Sequence, residues 1–161
     1  LLMFATMATS SKAEDLDSVY TKEMLPIGTE VPDVMLDSIH NVSLKSMRGK
    51  YVVLHFWASW CPDCRKDMPA MHELANVYSS DSIVFVHISY DTNKEVWQKY
   101  VANNKMVGIE FSELKKMREC TTYKQFNIKW IPAMYLVDPK GKVMLRAVKA
   151  ETLAERLKQL K

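Results

Sequence analysis

Two stretches of the chain are apolar at almost every position, and the patterns around them lay out the expected elements. Residues 51–57, Tyr-Val-Val-Leu-His-Phe-Trp, and residues 82–89, Ser-Ile-Val-Phe-Val-His-Ile-Ser, read as strands buried on both faces. Between them Met68, Met71, Leu74, Ala75 and Tyr78 recur at three- and four-residue steps, which predicts a helix with that face buried. Pro69 falls inside it and should kink it after about two turns. A helix joining two strands makes them parallel. Thr92-Asn-Lys-Glu95 is a capping box that opens a second helix, running to about Asn103. Ile109-Glu-Phe-Ser-Glu-Leu114 alternates like a short strand, and residues 120–126 form a short helix. Residues 133–137 and 142–146 are strands joined by the turn Asp138-Pro-Lys-Gly141. Leu153, Leu157 and Leu160 line a final amphipathic helix. Upstream, residues 31–36 and 42–44 flank a turn at 37–41 and read as a hairpin. Residues 14–25 show no period and read as a flexible leader. The sum is an α/β fold, a central mixed sheet flanked by helices, with an N-terminal β-hairpin.

Composition narrows the class. The 161 residues suit one domain of ordinary size. Apolar residues at 48% and charged ones at 25% describe a soluble globular chain rather than a disordered or fibrous one. The net charge of +3 is modest and its basic residues are scattered, so nucleic acid is not an expected partner. Three cysteines are too few for a disulfide scaffold, and eleven methionines are core filler. Residues 1–8 are apolar but too short to span a bilayer. They lead into Ser11-x-Ala13, which suits a signal-peptidase site with Glu14 as the first mature residue. Residues 1–13 are therefore read as a signal-peptide remnant, with no cysteine near the cleavage point to carry a lipid.

The chemistry concentrates in Trp60-Cys61-Pro62-Asp63-Cys64, directly after the first buried strand and a short turn. Pro62 suits the first position of a helix, where a donor is not needed and φ is pre-set. Both thiols then fall in the first helical turn, where unpaired N–H groups and the helix dipole favour a thiolate on Cys61. Cys64, one turn further in, can attack a mixed disulfide formed at Cys61. Asp63 opposes the thiolate and offsets part of the dipole effect. A bare C-x-x-C also serves zinc. The other candidate ligands, His55, His72, His87 and Cys120, show no metal-ligand spacing.

The stretch from Phe56 to Cys64 resembles the active-site segment of the thioredoxin superfamily. The extension Arg65-Lys66-Asp67-Met68-Pro69 narrows the likeness to its extracytoplasmic TlpA/ResA-like branch. The resemblance covers roughly residues 26–161, through Gly28-x-x-x-Pro32, Leu44-x-x-x-Arg48-Gly49-Lys50 and Ile131-Pro132. It implies a thioredoxin-like domain over that span with a central insertion near residues 105–119. It implies that Pro132 is cis and faces the dithiol, so that the backbone before it pairs with an incoming polypeptide. Ile131 resembles the residue at this place in thioredoxins that act as reductants. Asp67 stands where the branch places a glutamate that relays protons to the buried thiol. A carboxylate there could serve as general base, or Asp67 is a solvated surface acid. His55 stands where thioredoxins carry a buried aspartate, and is either a proton relay or a structural residue. Trp60, Pro62, Trp130, Ile131 and Pro132 are the candidate substrate-binding residues, and Cys120 is either a buried bystander thiol or one with a regulatory or intermolecular role.

The expected function is thiol–disulfide exchange between Cys61–Cys64 and protein disulfides, as a reductant outside the cytoplasm, in the periplasm of a bacterium. The chemistry asks for no metal and no organic cofactor. The expected partners are disulfide-bearing proteins and a membrane thiol electron donor; oligomeric state is not legible in the sequence. The alternatives are a disulfide oxidase or isomerase, or a thiol peroxidase. The latter needs P-x-x-x-T/S-x-x-C, and here Ala58 and Leu54 break that pattern. A copper-delivery module would use C-x-x-x-C with a distant histidine, and none follows His87.

Overall fold

The computed structural model describes residues 15–160. The expected signal-peptide remnant at residues 1–13 lies outside the described residues. Helix α1 spans Leu16–Tyr20, the hairpin strands β1 and β2 span Met35–Asp37 and Val42–Ser43, and β3 spans Tyr51–Trp57. Then come α2 (Pro62–Tyr78), β4 (Ile83–Ser89), α3 (Lys94–Asn103), β5 (Ile109–Ser112) and α4 (Thr121–Gln125). Strands β6 (Ala133–Val137) and β7 (Val143–Ala147) and helix α5 (Ala150–Lys158) complete the order.

The main sheet runs β5-β4-β3-β6-β7. Strands β3, β4 and β5 are parallel, while β6 and β7 each pair antiparallel to their neighbour. The uninterrupted apolar runs sit where parallel strands must sit, in the middle, under helices on both sides. One side buries Val53, Phe85 and Leu136 against Met71 of α2 and Leu153 and Leu157 of α5. The other buries Leu54, Phe56, Ile88 and Tyr135 against Phe126 and Ile128. Tyr135, deep in that layer, donates its hydroxyl to Phe126 O at 2.6 Å and accepts from Leu25 N at 2.8 Å. Its polar end is therefore satisfied, as burial demands.

Two local expectations change. The stretch read as a flexible leader carries α1, fastened by Asp17 to the backbone N–H groups of Val148 and Lys149. Its few residues show no period, and the ties run to partners far along the chain. Helix α3 starts one residue later than the Thr92 box predicts: Asn93 is its cap, accepting from Val96 N at 3.0 Å. Asparagine caps at least as well as threonine. Helix α2 continues through Pro69, which lies on the exposed side. The hairpin turn is closed by Asp37 Oδ1, which accepts from Ile39 N and His40 N, and by Asn41 at φ 54° in place of a glycine.

Candidate active site

Strand β3 ends at Trp57, and its carboxyl end delivers the reactive segment, as α/β sites require. Cys61 is the N-cap of α2 in an extended conformation, and Pro62 fills the first helical position, exposed. The Cys64 N–H donates to Cys61 Sγ at 3.1 Å. Cys61 and Cys64 are joined as a disulfide, with Cα atoms 5.2 Å apart. Cys61 is 5% exposed and Cys64 1%, so Cys61 is the more accessible of the two sulfurs. The same N–H and the positive end of a seventeen-residue helix would stabilise a Cys61 thiolate once the bond is reduced.

The loop before Cys61 is held from β4. Asp91, buried just beyond that strand, accepts from Ser59 N at 3.0 Å, Ser59 Oγ at 2.5 Å and Ser89 Oγ at 2.6 Å. Trp60 donates Nε1 to Tyr90 O at 3.2 Å and leaves its ring 52% exposed beside the sulfurs. Arg65 Nη1 donates to Ser59 O at 2.9 Å. No motif singled out Asp91. The available signal was its place: an acid at the carboxyl end of a predicted strand, level with the reactive turn.

Opposite the dithiol, Cys61 Sγ lies 3.8 Å from the carbonyl oxygen of Ile131. The Ile131–Pro132 peptide bond is cis, and both residues are buried. Trp130 is 36% exposed, its ring stacked on Tyr20 at 4.3 Å between centroids. A cleft of about 520 Å³ opens here, lined in part by Tyr20, Asp63, Asp67, Trp130 and Pro132. Trp60, Cys61, Pro62 and Cys64 thus share one end of the fold with Trp130, Ile131 and Pro132. Tyr20 lies in a stretch without period, and nothing in the sequence pointed to it.

Asp67 is half-buried one turn beyond Cys64, and its Oδ2 has no hydrogen-bond partner among the described residues. Burial, then the nearby Glu151 and Asp63 carboxylates, push its carboxyl up to about 6. It is ionised at neutral pH yet more basic than an ordinary carboxylate.

His55 is drawn into a different arrangement. Its Nδ1 meets Nδ1 of His87 at 2.9 Å, across the in-register pairing of β3 and β4. His87 Nε2 lies 2.9 Å from Val107 O, so it must carry the hydrogen there. Both rings are buried, and burial holds them neutral: His87 falls to about 4 and His55 well below the ordinary histidine range. A neutral His87 with its hydrogen on Nε2 accepts at Nδ1, and His55 therefore donates from Nδ1. The carbonyl reaches His87 because Gly108 passes so close to β4 that a Cβ would lie 2.6 Å from Phe85 O.

Residues 49–143 match a family model described as thioredoxin-like. The chain is 29% identical over 144 residues to the thiol–disulfide oxidoreductase ResA of Bacillus thuringiensis subsp. konkukian, covering 87% of this chain and 80% of that protein. It is 29% identical over 115 residues to the sporulation thiol–disulfide oxidoreductase A of Bacillus subtilis, covering 70% and 67%. Among solved structures, the thioredoxin domain of a thiol–disulfide oxidoreductase from Bacteroides vulgatus superposes with a TM-score of 0.73 at 25% identity, covering 84% of this chain and 98% of that one. The chain belongs to the thioredoxin-like family, and it is an oxidoreductase of the thiol–disulfide class.

Proposed function

We propose that the protein reduces disulfides in other polypeptides outside the cytoplasm, with Cys61 attacking and Cys64 resolving. The observation that carries this reading is the asymmetry of the pair: Cys61 is the more exposed sulfur, at the helix cap, facing Ile131 O. In the dithiol form the Cys61 thiolate attacks one sulfur of a partner disulfide. A bond forms between them, and the partner's other sulfur leaves as a thiolate. Cys64, after losing its proton, attacks Cys61 Sγ. The Cys61–Cys64 bond forms, the mixed disulfide breaks, and the partner's second sulfur leaves. Two electrons pass to the partner, and the protons lost by the two cysteines end on its thiols.

Asp67 is the base we assign to Cys64, on its position one turn along α2 and its raised basicity. Trp60, Pro62, Trp130, Ile131 and Pro132 form the surface a partner meets. Location outside the cytoplasm is supported by the likeness to the extracytoplasmic branch and by the signal-like pattern of residues 1–13. A membrane dithiol donor would return the electrons. Ile131 before Pro132 supports the reductive direction.

Equilibrium with glutathione buffers tests that direction. Thioredoxin-type reductants sit near about −270 mV and strong oxidants near about −120 mV. The expected potential lies toward the first value, so the disulfide persists in ordinary glutathione mixtures. A pair readily reduced by glutathione would overturn the reductant assignment in favour of oxidation or isomerisation.

A further inference from the structure

Helix α1 is five residues long and buries none of them, so it adds nothing to the core. It is nevertheless fastened firmly. The Asp17 carboxylate accepts from Val148 N at 2.6 Å, from Lys149 N at 3.1 Å and from the Thr152 hydroxyl. What α1 contributes is a wall. Leu16 and Tyr20 face a groove of about 520 Å³ that is also lined by Trp130, Pro132, Asp67 and Glu151. The Tyr20 ring, stacked on Trp130, carries that wall to within one residue of the Ile131 carbonyl that faces Cys61.

We infer that α1 is a specificity element: the groove takes the extended polypeptide beside the substrate's reacting cysteine and favours a segment with an apolar residue next to a basic one. This rests on the exchange reading above. The occupant follows from continuity and charge. Pro132 lines the groove and adjoins the residue that faces Cys61 Sγ, so a chain bonded to that sulfur runs into it. Leu16, Tyr20 and Trp130 offer it apolar contact. Of the lysines lining the groove, Lys149 is held by Asp15 at 3.0 Å and Asp17 at 3.8 Å. Asp63, Asp67 and Glu151 then face Lys66, an excess of negative charge. After burial, the two other acids help push the Asp67 carboxyl up. A substrate cation would relieve that repulsion.

The test uses the whole chain in its dithiol form and peptides carrying one cysteine as a mixed disulfide with thionitrobenzoate. Two peptides differ only in lysine or glutamate beside an apolar neighbour of the cysteine. Hydroxyethyl disulfide, uncharged and too small to fill the groove, is the reference. The lysine peptide should react several-fold faster, and Glu151→Lys should remove or reverse the preference. Tyr20→Ala should lower the peptide rate several-fold relative to hydroxyethyl disulfide, and Tyr20→Phe should restore it. Equal rates for the two peptides, or a Tyr20→Ala loss in the same proportion on both substrate types, would overturn the inference. A peptide rate falling as protein concentration rises would assign the groove to a second copy and overturn it too. Failure of the native chain on hydroxyethyl disulfide itself would instead remove the exchange reading beneath it.

Discussion

At the scale of single residues, the reactivity of Cys61 depends on what holds its backbone. The Asp91 carboxylate takes three hydrogen bonds, two of them from Ser59, two positions before the sulfur. An amide cannot accept all three. Asp91→Asn should cost about 1–3 kcal/mol of stability, the penalty of a buried donor left unpaired, and should slow mixed-disulfide formation. Denaturant melts and single-turnover kinetics read the two effects; a variant indistinguishable in both would show that the clamp is idle. Asp67 makes a prediction through pH. Its folded carboxyl titrates at about 6 against an ordinary 3.8, so the folded state favours the protonated form. That contribution is complete below pH about 4 and is lost as pH rises toward about 6. Asp67→Asn should therefore match the native protein in acid, exceed its stability at neutral pH, and remove an inflection near pH 6 from the Cys64 step. A pH profile that keeps the inflection would exclude Asp67 as the base.

At the scale of elements, the histidine pair couples β3 to β4. Both rings stay neutral in the fold, with His87 at about 4 against an ordinary 6.5. Their stabilisation is present above pH 6.5 and drains away as pH falls toward 4, because the unfolded chain takes up protons that the fold refuses. Replacing both with leucine should abolish that acid-side loss. Replacing His87 alone should cost about 1–3 kcal/mol at neutral pH, since the His55 Nδ1–H loses its acceptor. Urea melts across this window would contradict the pairing if native protein and double variant lost stability in parallel. Elements with strong periods were legible. Strands β3 and β4, helices α2 and α5 and the β6–β7 turn follow from patterns that span several residues. What was not legible depended on partners distant in sequence. Nothing in His55 announces His87, thirty-two residues on, and nothing in Asp17 announces the backbone of Val148. The shift of the α3 cap from Thr92 to Asn93 is a contest between neighbouring capping residues, which a sequence window does not resolve.

At the scale of the whole molecule, the fold brings two distant segments to one end: the turn that follows β3 and the residues that precede β6. The cysteines of that site could be read from a single short motif. Its opposite face, Ile131 and Pro132, came into view only through likeness to known proteins, because an isoleucine before a proline has no chemistry of its own. The third wall, α1, needed the structure. All three converge on one sulfur, that of Cys61. The direct measurement is capture of a mixed disulfide on a disulfide-bonded protein, followed by mass spectrometry, for Cys64→Ser and Cys61→Ser side by side. Cys64→Ser should hold the partner on Cys61 as a lasting adduct, and Cys61→Ser should hold none. Equal capture by both variants, or capture by Cys61→Ser alone, would contradict it.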